Sequence, residues 1–200
     1  MSICGTISSN ILYNCDNPLT MGVADTAMFV NIDDIDKEAT TFNATNPLVI
    51  EQLVLKQGKQ AFKVEGHNFS NKHNTELVKG TYGRMWEHNF NFLVFDNTPE
   101  VKKWVNDAIE ARFVIIHQNM YNRQVGDNKG NTVYEILGYN LGLEIKVATR
   151  DTEDEESMGG WVIEAGCHER IKESNMPYTF YNTDLATTKA AIDALLTPAT

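Results

Sequence analysis

Met85-Trp86-Glu87-His88-Asn89-Phe90-Asn91-Phe92-Leu93-Val94-Phe95 is the stretch that decides the fold class. Trp86, His88, Phe90, Phe92 and Val94 occupy alternate positions, with polar Glu87, Asn89 and Asn91 between them. Successive side chains of a strand point to opposite faces, so this pattern predicts a strand with one buried face. Thr98-Pro99-Glu100 follows, supplying a helix N-cap, a proline at the first helical position and an early carboxylate. Val101, Trp104, Val105, Ala108 and Ile109 then recur at helical spacing, which predicts a helix over residues 98–110.

Toward the C-terminus, residues 113–118 form a short apolar run that predicts a strand, and Asp127-Asn128-Lys129-Gly130 is a turn signal. Residues 132–148 predict one strand, long or broken by glycine, with Gly138 and Gly142 marking bends or bulges. Residues 160–168 predict another strand. Residues 184–196 predict a short helix with Leu185, Ile192 and Leu195 inward. Toward the N-terminus, residues 23–32 predict a strand closed by Asp33-Asp34-Ile35-Asp36. Residues 48–55 and 61–65 predict a hairpin about Gln57-Gly58-Lys59. Residues 37–46 and 67–79 are polar and aperiodic and predict two long loops, while residues 1–20 predict an irregular arm. The sum is a single domain over residues 1–200. It is mainly β with a mixed α+β character: a β-sandwich or partly open barrel with one flanking helix.

Composition narrows the function. With 42% hydrophobic and 22% charged residues, the chain has enough apolar mass for a core and is not a disordered polymer. Asparagine occurs 20 times, which favours turns and short connections. No apolar run approaches the roughly 20 residues of a membrane span, and the first residues lack the basic-then-apolar order of a secretory signal. Three cysteines (Cys4, Cys15 and Cys167) do not make a disulfide framework, so a reducing compartment is expected. Asp and Glu number 27 against 17 Lys and Arg, for a net charge of −10. A nucleic-acid groove needs a basic stripe. Lys102-Lys103 is the densest basic cluster, so tight nucleic-acid binding is not expected.

Motifs for catalysis or cofactors do not emerge. His67 and His73 lie six apart, and Cys167-His168-Glu169 form a compact trio, but neither has a recognised metal-ligand spacing. The histidines are expected on loops. Cys167 and His168, as strand neighbours, are expected on opposite faces and so not as a catalytic pair. The acidic runs Asp33, Asp34, Asp36 and Asp151, Glu153, Asp154, Glu155, Glu156 lack the glycine and terminal glutamate of a calcium loop. No nucleophile elbow or phosphate cradle is present, and no catalytic, cofactor-binding or metal residue is expected. What remains is an acidic β domain whose work is done by its surfaces, with strand edges and arms that can extend a neighbour's sheet.

The second half resembles tail-tube and tail-ring structural proteins of bacteriophages infecting Bacteroidetes, the crAss-like phages included. The resemblance runs from Trp86 to Leu196. It is carried by Trp86-Glu87-His88-Asn89-Phe90-Asn91-Phe92, Thr98-Pro99-Glu100-Val101, Arg112-Phe113-Val114-Ile115-Ile116 and Tyr134-Glu135-Ile136-Leu137-Gly138-Tyr139-Asn140-Leu141-Gly142-Leu143. Arg150-Asp151, Gly159-Gly160-Trp161-Val162-Ile163, Met176-Pro177-Tyr178-Thr179-Phe180-Tyr181 and Thr183-Asp184-Leu185-Ala186-Thr187-Thr188 complete it. It implies two packed β-sheets with a flanking helix, closing side by side into a homo-oligomeric ring. That ring would stand among other tail, portal or connector proteins of the virion, with DNA passing through it and no cofactor. On that reading Asp33, Asp34, Asp36, Asp151, Glu153, Asp154, Glu155 and Glu156 are the candidates to line the channel, where like charge keeps the duplex sliding. The competing expectation is a surface β-sandwich recognising glycans, with Trp86, Trp104 and Trp161 as a stacking platform.

Overall fold

In the computed structural model the described residues are 7, 9–11, 15–67, 69–80, 83–123 and 129–199. Thirteen regular segments are used below: β1 (Val23–Asn31), β2 (Thr41–Phe42), β3 (Val49–Gln52), β4 (Phe62–Glu65), β5 (Lys72–Gly80), β6 (Gly83–Val94), α1 (Pro99–Glu110), β7 (Phe113–Asn119), β8 (Tyr134–Leu137), β9 (Glu144–Arg150), β10 (Trp161–Gly166), β11 (Tyr178–Phe180) and α2 (Leu185–Ala194). β6 bears out the alternation that opens the sequence reading. His88, Phe90 and Phe92 are fully buried, with Trp86 and Val94 half-buried at the ends of the same face. β6 lies inside a four-stranded antiparallel sheet of order β5-β6-β10-β9. The second sheet has seven strands in the order β2-β3-β11-β8-β7-β1-β4, antiparallel except where β11 runs parallel to β3.

β7 shows how the layers stack. Phe113 and Ile115 face the small sheet and join Phe29, Phe90, Phe92, Leu137 and Ile163 in one core. Val114 and Ile116 face the other way and join Val30, Ile50, Ile136, Phe180, Ile192 and Leu195 in a second. Burial on both faces explains why this strand reads as a continuous apolar run. α1 closes the first core: Trp104 packs edge-on against Phe29 and Phe92, and Val105 is buried beside them. Its start is as read, with Thr98 Oγ1 accepting from the Val101 N–H at 3.4 Å, although Ile109 faces outward and is half-exposed. α2 caps the second core, and Asp184 accepts the Thr187 N–H at 2.7 Å at its start. The architecture is a mainly β sandwich with no closed barrel. Among the described residues the helices expected over 98–110 and 184–196 are both present and lie on opposite faces of the large sheet.

Four local expectations need correction. Residues 48–55 and 61–65 do not form a hairpin, because β3 and β4 lie toward opposite edges of the large sheet. The turn at Gly58 exists, but its N–H donates to the Ala199 carbonyl and that of Ala61 to Leu195, so the chain end after α2 occupies the space a hairpin partner would need. Residues 67–79 are not a loop: only the first few turn, and β5 pairs along its whole length with β6, from Lys72 opposite Asn91 to Gly80 opposite Gly83. Its polar character is that of an edge strand with one wet face, where Lys72, Asn74 and Glu76 are exposed. Residues 132–148 are two strands in different sheets, separated by a turn in which Gly138 and Gly142 take φ of +73° and +82°. Residues 37–46 contain the two-residue β2, and the rest is held by its own Asx turns. Asp36 Oδ1 accepts from Glu38 and Ala39, and Asn43 Oδ1 accepts from Thr45 and Asn46.

The arm is only partly apart from the core. Ile7 and Ile11 are 99% exposed, whereas Asn17 is buried. Residues 1–6, 8 and 12–14 of the expected arm, and Asp127-Asn128 of the expected turn, lie outside the described residues. Deleting residues 1–11 is expected to leave a cooperative melt within about 2 °C of the intact chain, because the described residues it removes, 7 and 9–11, are all exposed. Circular dichroism melting checks this, and a loss of cooperativity would make the arm part of the core.

Candidate functional site

Strand phase brings together three chemistry-bearing side chains that sequence spacing does not. On β7, residues 113, 115 and 117 share the face toward the small sheet, so His117 points between the layers. Glu135 on β8 is its register partner and shares that face. His73 on β5 is the register partner of buried Phe90, and therefore points inward from the opposite sheet. His73 Nδ1 lies 3.4 Å and His117 Nε2 lies 3.5 Å from the same carboxylate oxygen, Glu135 Oε2. One ligand atom from each of the three residues falls within 4.8 Å of the others, and the imidazole centroids are 4.7 Å apart.

The three groups are not equally placed. His117 is fully buried, against Phe90 on one side, and neither ring nitrogen makes a hydrogen bond. Burial pushes its pKa down to about 3, with the neighbouring His73 adding to that and Glu135 opposing it, so the ring is neutral at pH 7. His73 is half-buried, and its outer nitrogen, Nε2, is fixed by Thr75 Oγ1 at 2.6 Å, which aims Nδ1 at Glu135. Burial acts to raise the Glu135 carboxyl. The hydrogen bond from His73, the adjacent imidazoles and the Asn119 amide outweigh it and hold the carboxyl below its ordinary range. His73 and Asn119 also line a surface pocket of about 310 Å³ with Gly22, Asn71 and Tyr121, which gives the cluster a route to solvent.

The expectation that His67 and His73 both sit on loops holds only for His67, which stacks edge-on against Phe95. Neither His117 nor Glu135 stands out by spacing. The one local signal is a histidine on the core-facing phase of an otherwise apolar strand. The Cys167-His168-Glu169 trio does not converge: Cys167 is buried with its thiol pushed up by burial, while His168 and Glu169 are exposed.

A second buried polar centre is structural. His88 Nδ1 accepts the Gly138 N–H at 3.2 Å, which makes Nε2 the protonated nitrogen donating to the Asn175 carbonyl at 3.1 Å. Glu173, also buried, accepts from Leu141 N–H at 2.9 Å and Asn140 Nδ2 at 2.8 Å, tying down the same turn between β8 and β9.

The acidic stretches sit at strand ends, as read, but apart from one another. Asp33, Asp34 and Asp36 follow Ile32, which lies against Gly142 just before β9 begins; Asp151, Glu153, Asp154, Glu155 and Glu156 follow its end at Arg150. Several of these carboxylates are already engaged. Asp34 pairs with Lys59 at 2.9 Å, Asp36 caps its own turn, and Asp154 accepts from Glu156 and Ser157. Asp33, Asp151, Glu153, Glu155 and Glu156 are exposed. The tryptophans form no platform: Trp104 packs into the core, Trp161 donates to Asn97 Oδ1, and Trp86 lies at the far end of β6.

No family model, curated protein or solved structure matches the chain. Among the described residues no helix is long and apolar enough to cross a membrane.

Proposed function

We propose that the chain is a structural subunit of a bacteriophage tail, assembling with its own copies into a tube segment or connector ring through which DNA passes. The observation that carries this reading is the four-stranded sheet, whose two edge strands are of similar length, β5 with nine residues and β9 with seven, with α1 packed beside β9. An unpaired edge is a row of unused backbone donors and acceptors, and most monomers keep such edges short or covered. Joining β5 of one copy to β9 of the next is a heterologous contact, which repeats and closes if its rotation divides a circle. The outer face of this sheet is polar, with Lys72, Asn74, Asn89, Asn91, Lys146 and Glu164 around a shallow depression, as suits a wall in contact with water and passing polyanion. Exposed apolar Leu19 and Met21 at the arm's root offer a neighbour surface to cover. The acidic stretches at the two ends of β9 would then flank each joint, and a ring multiplies the −10 charge of each chain. Virion location and tail or portal partners follow from the same reading.

Native mass spectrometry and negative-stain electron microscopy of the concentrated protein are the test. Closed rings of fixed stoichiometry are the expected result, and a monomer at every concentration, including beside tail partners, sinks the reading. A ring whose bore lacks both acidic stretches would remove their channel role while leaving the assembly intact.

A further inference from the structure

The geometry points to a divalent transition-metal site formed by His73, His117 and Glu135, joining the two sheets of the sandwich. Three observations carry it. First, the spacing suits a small ion. Tetrahedral zinc with bonds of about 2.0–2.1 Å places its ligand atoms roughly 3.3 Å apart, and two of the three edges here are already 3.4 and 3.5 Å. Only the edge between the imidazoles, at most 4.8 Å, must close.

Second, His117 is a wholly buried imidazole whose Nε2 has no hydrogen-bond partner although it faces a carboxylate. Burying a polar atom without a partner forfeits its solvation for nothing in return, and such atoms call for an explanation such as an unseen ion. Third, the group behind His73 is of the kind that orients a metal ligand. Thr75 Oγ1 holds the far nitrogen of His73 at 2.6 Å. Two imidazoles and one carboxylate favour zinc, ferrous iron or their neighbours over magnesium or calcium, which prefer all-oxygen shells. The pocket beside His73 and Asn119 leaves room for water to complete the coordination. The site is independent of ring assembly, and its role is to clamp β5, the open edge strand, onto the large sheet.

The test uses the tag-free full chain, stripped with chelator, and titrated with Zn²⁺ by calorimetry and with Co²⁺ by visible absorption. One equivalent of Zn²⁺ is expected to bind at micromolar affinity or tighter and to raise Tm, and Co²⁺ is expected to give the absorption of low-coordinate cobalt. His73→Gln lies on an edge strand and should still fold, shown by unchanged circular dichroism; it is expected to weaken binding by at least about tenfold. Glu135→Gln should do the same, whereas His168→Gln, on the exposed loop, should change nothing. Absence of binding to the intact chain overturns the site. So does binding that survives His73→Gln and Glu135→Gln undiminished, or that Mg²⁺ matches at equal concentration.

Discussion

Gly138→Ala is expected to destabilise the fold by about 3 kcal/mol, far more than an exposed glycine substitution would. Gly138 has φ of +73°, where an L side chain pays about 1–2 kcal/mol. A Cβ built there would also stand 2.6 Å from Leu143 Cγ and 3.1 Å from the Leu143 backbone nitrogen. Leu143 is fully buried and cannot swing away. Forcing extra volume into a closed core adds about 1–3 kcal/mol. Gly58 supplies the comparison, with a similar φ of +76° and open space where a Cβ would go, so Gly58→Ala should cost only the backbone share, about 1 kcal/mol. Chemical denaturation of both variants, at unchanged slope, separates backbone strain from the clash. Equal midpoints for the two variants would show that Leu143 yields and that the turn is not a tight joint.

The same turn marks how far the sequence could be read. Gly138 and Gly142 are visible as interruptions, but a period-two pattern says nothing about which sheet a strand joins, so β8 and β9 read as one element. β6 and α1 were legible because each carries its own signal: alternation in one, cap and 3.6-residue spacing in the other. β5 was not, since an edge strand with a wet face, Lys72, Asn74 and Glu76, has the composition of a loop. β3 and β4 looked like a hairpin because their separation fits one, while the competitor for that space, the segment after α2, is some 140 residues away in sequence. The histidine cluster has the same cause. His73, His117 and Glu135 come from three strands of two sheets, and only the register pairs of His73 with Phe90 and His117 with Glu135 bring them together.

Acid is expected to cost the intact chain stability through His88, and the sign follows from its hydrogen bonds. Burial presses its pKa down to about 4 from an ordinary 6.5. The bond to the Asn175 carbonyl pulls upward, and more distant His73 and Glu135 act in opposite senses. The neutral ring is required because Nδ1 must accept the Gly138 N–H. A proton on Nδ1 would turn an acceptor into a donor facing a donor. The folded pKa lies below the unfolded one, so the unfolded chain binds protons first. The stabilisation is fully present above about pH 6.5 and is lost as pH falls from there toward 4. At pH 4.5 the loss should be about 2 kcal/mol. Other groups also titrate in this range, so the diagnostic quantity is the stability difference between the intact chain and His88→Gln. That difference should be largest at pH 7 and shrink by about 2 kcal/mol at pH 4.5, because glutamine cannot titrate. Denaturation curves at pH 7, 6, 5 and 4.5 measure it. A difference that stays constant over that range would mean that His88 takes up its proton without giving up Gly138, and that the joint between the two sheets does not depend on a neutral imidazole.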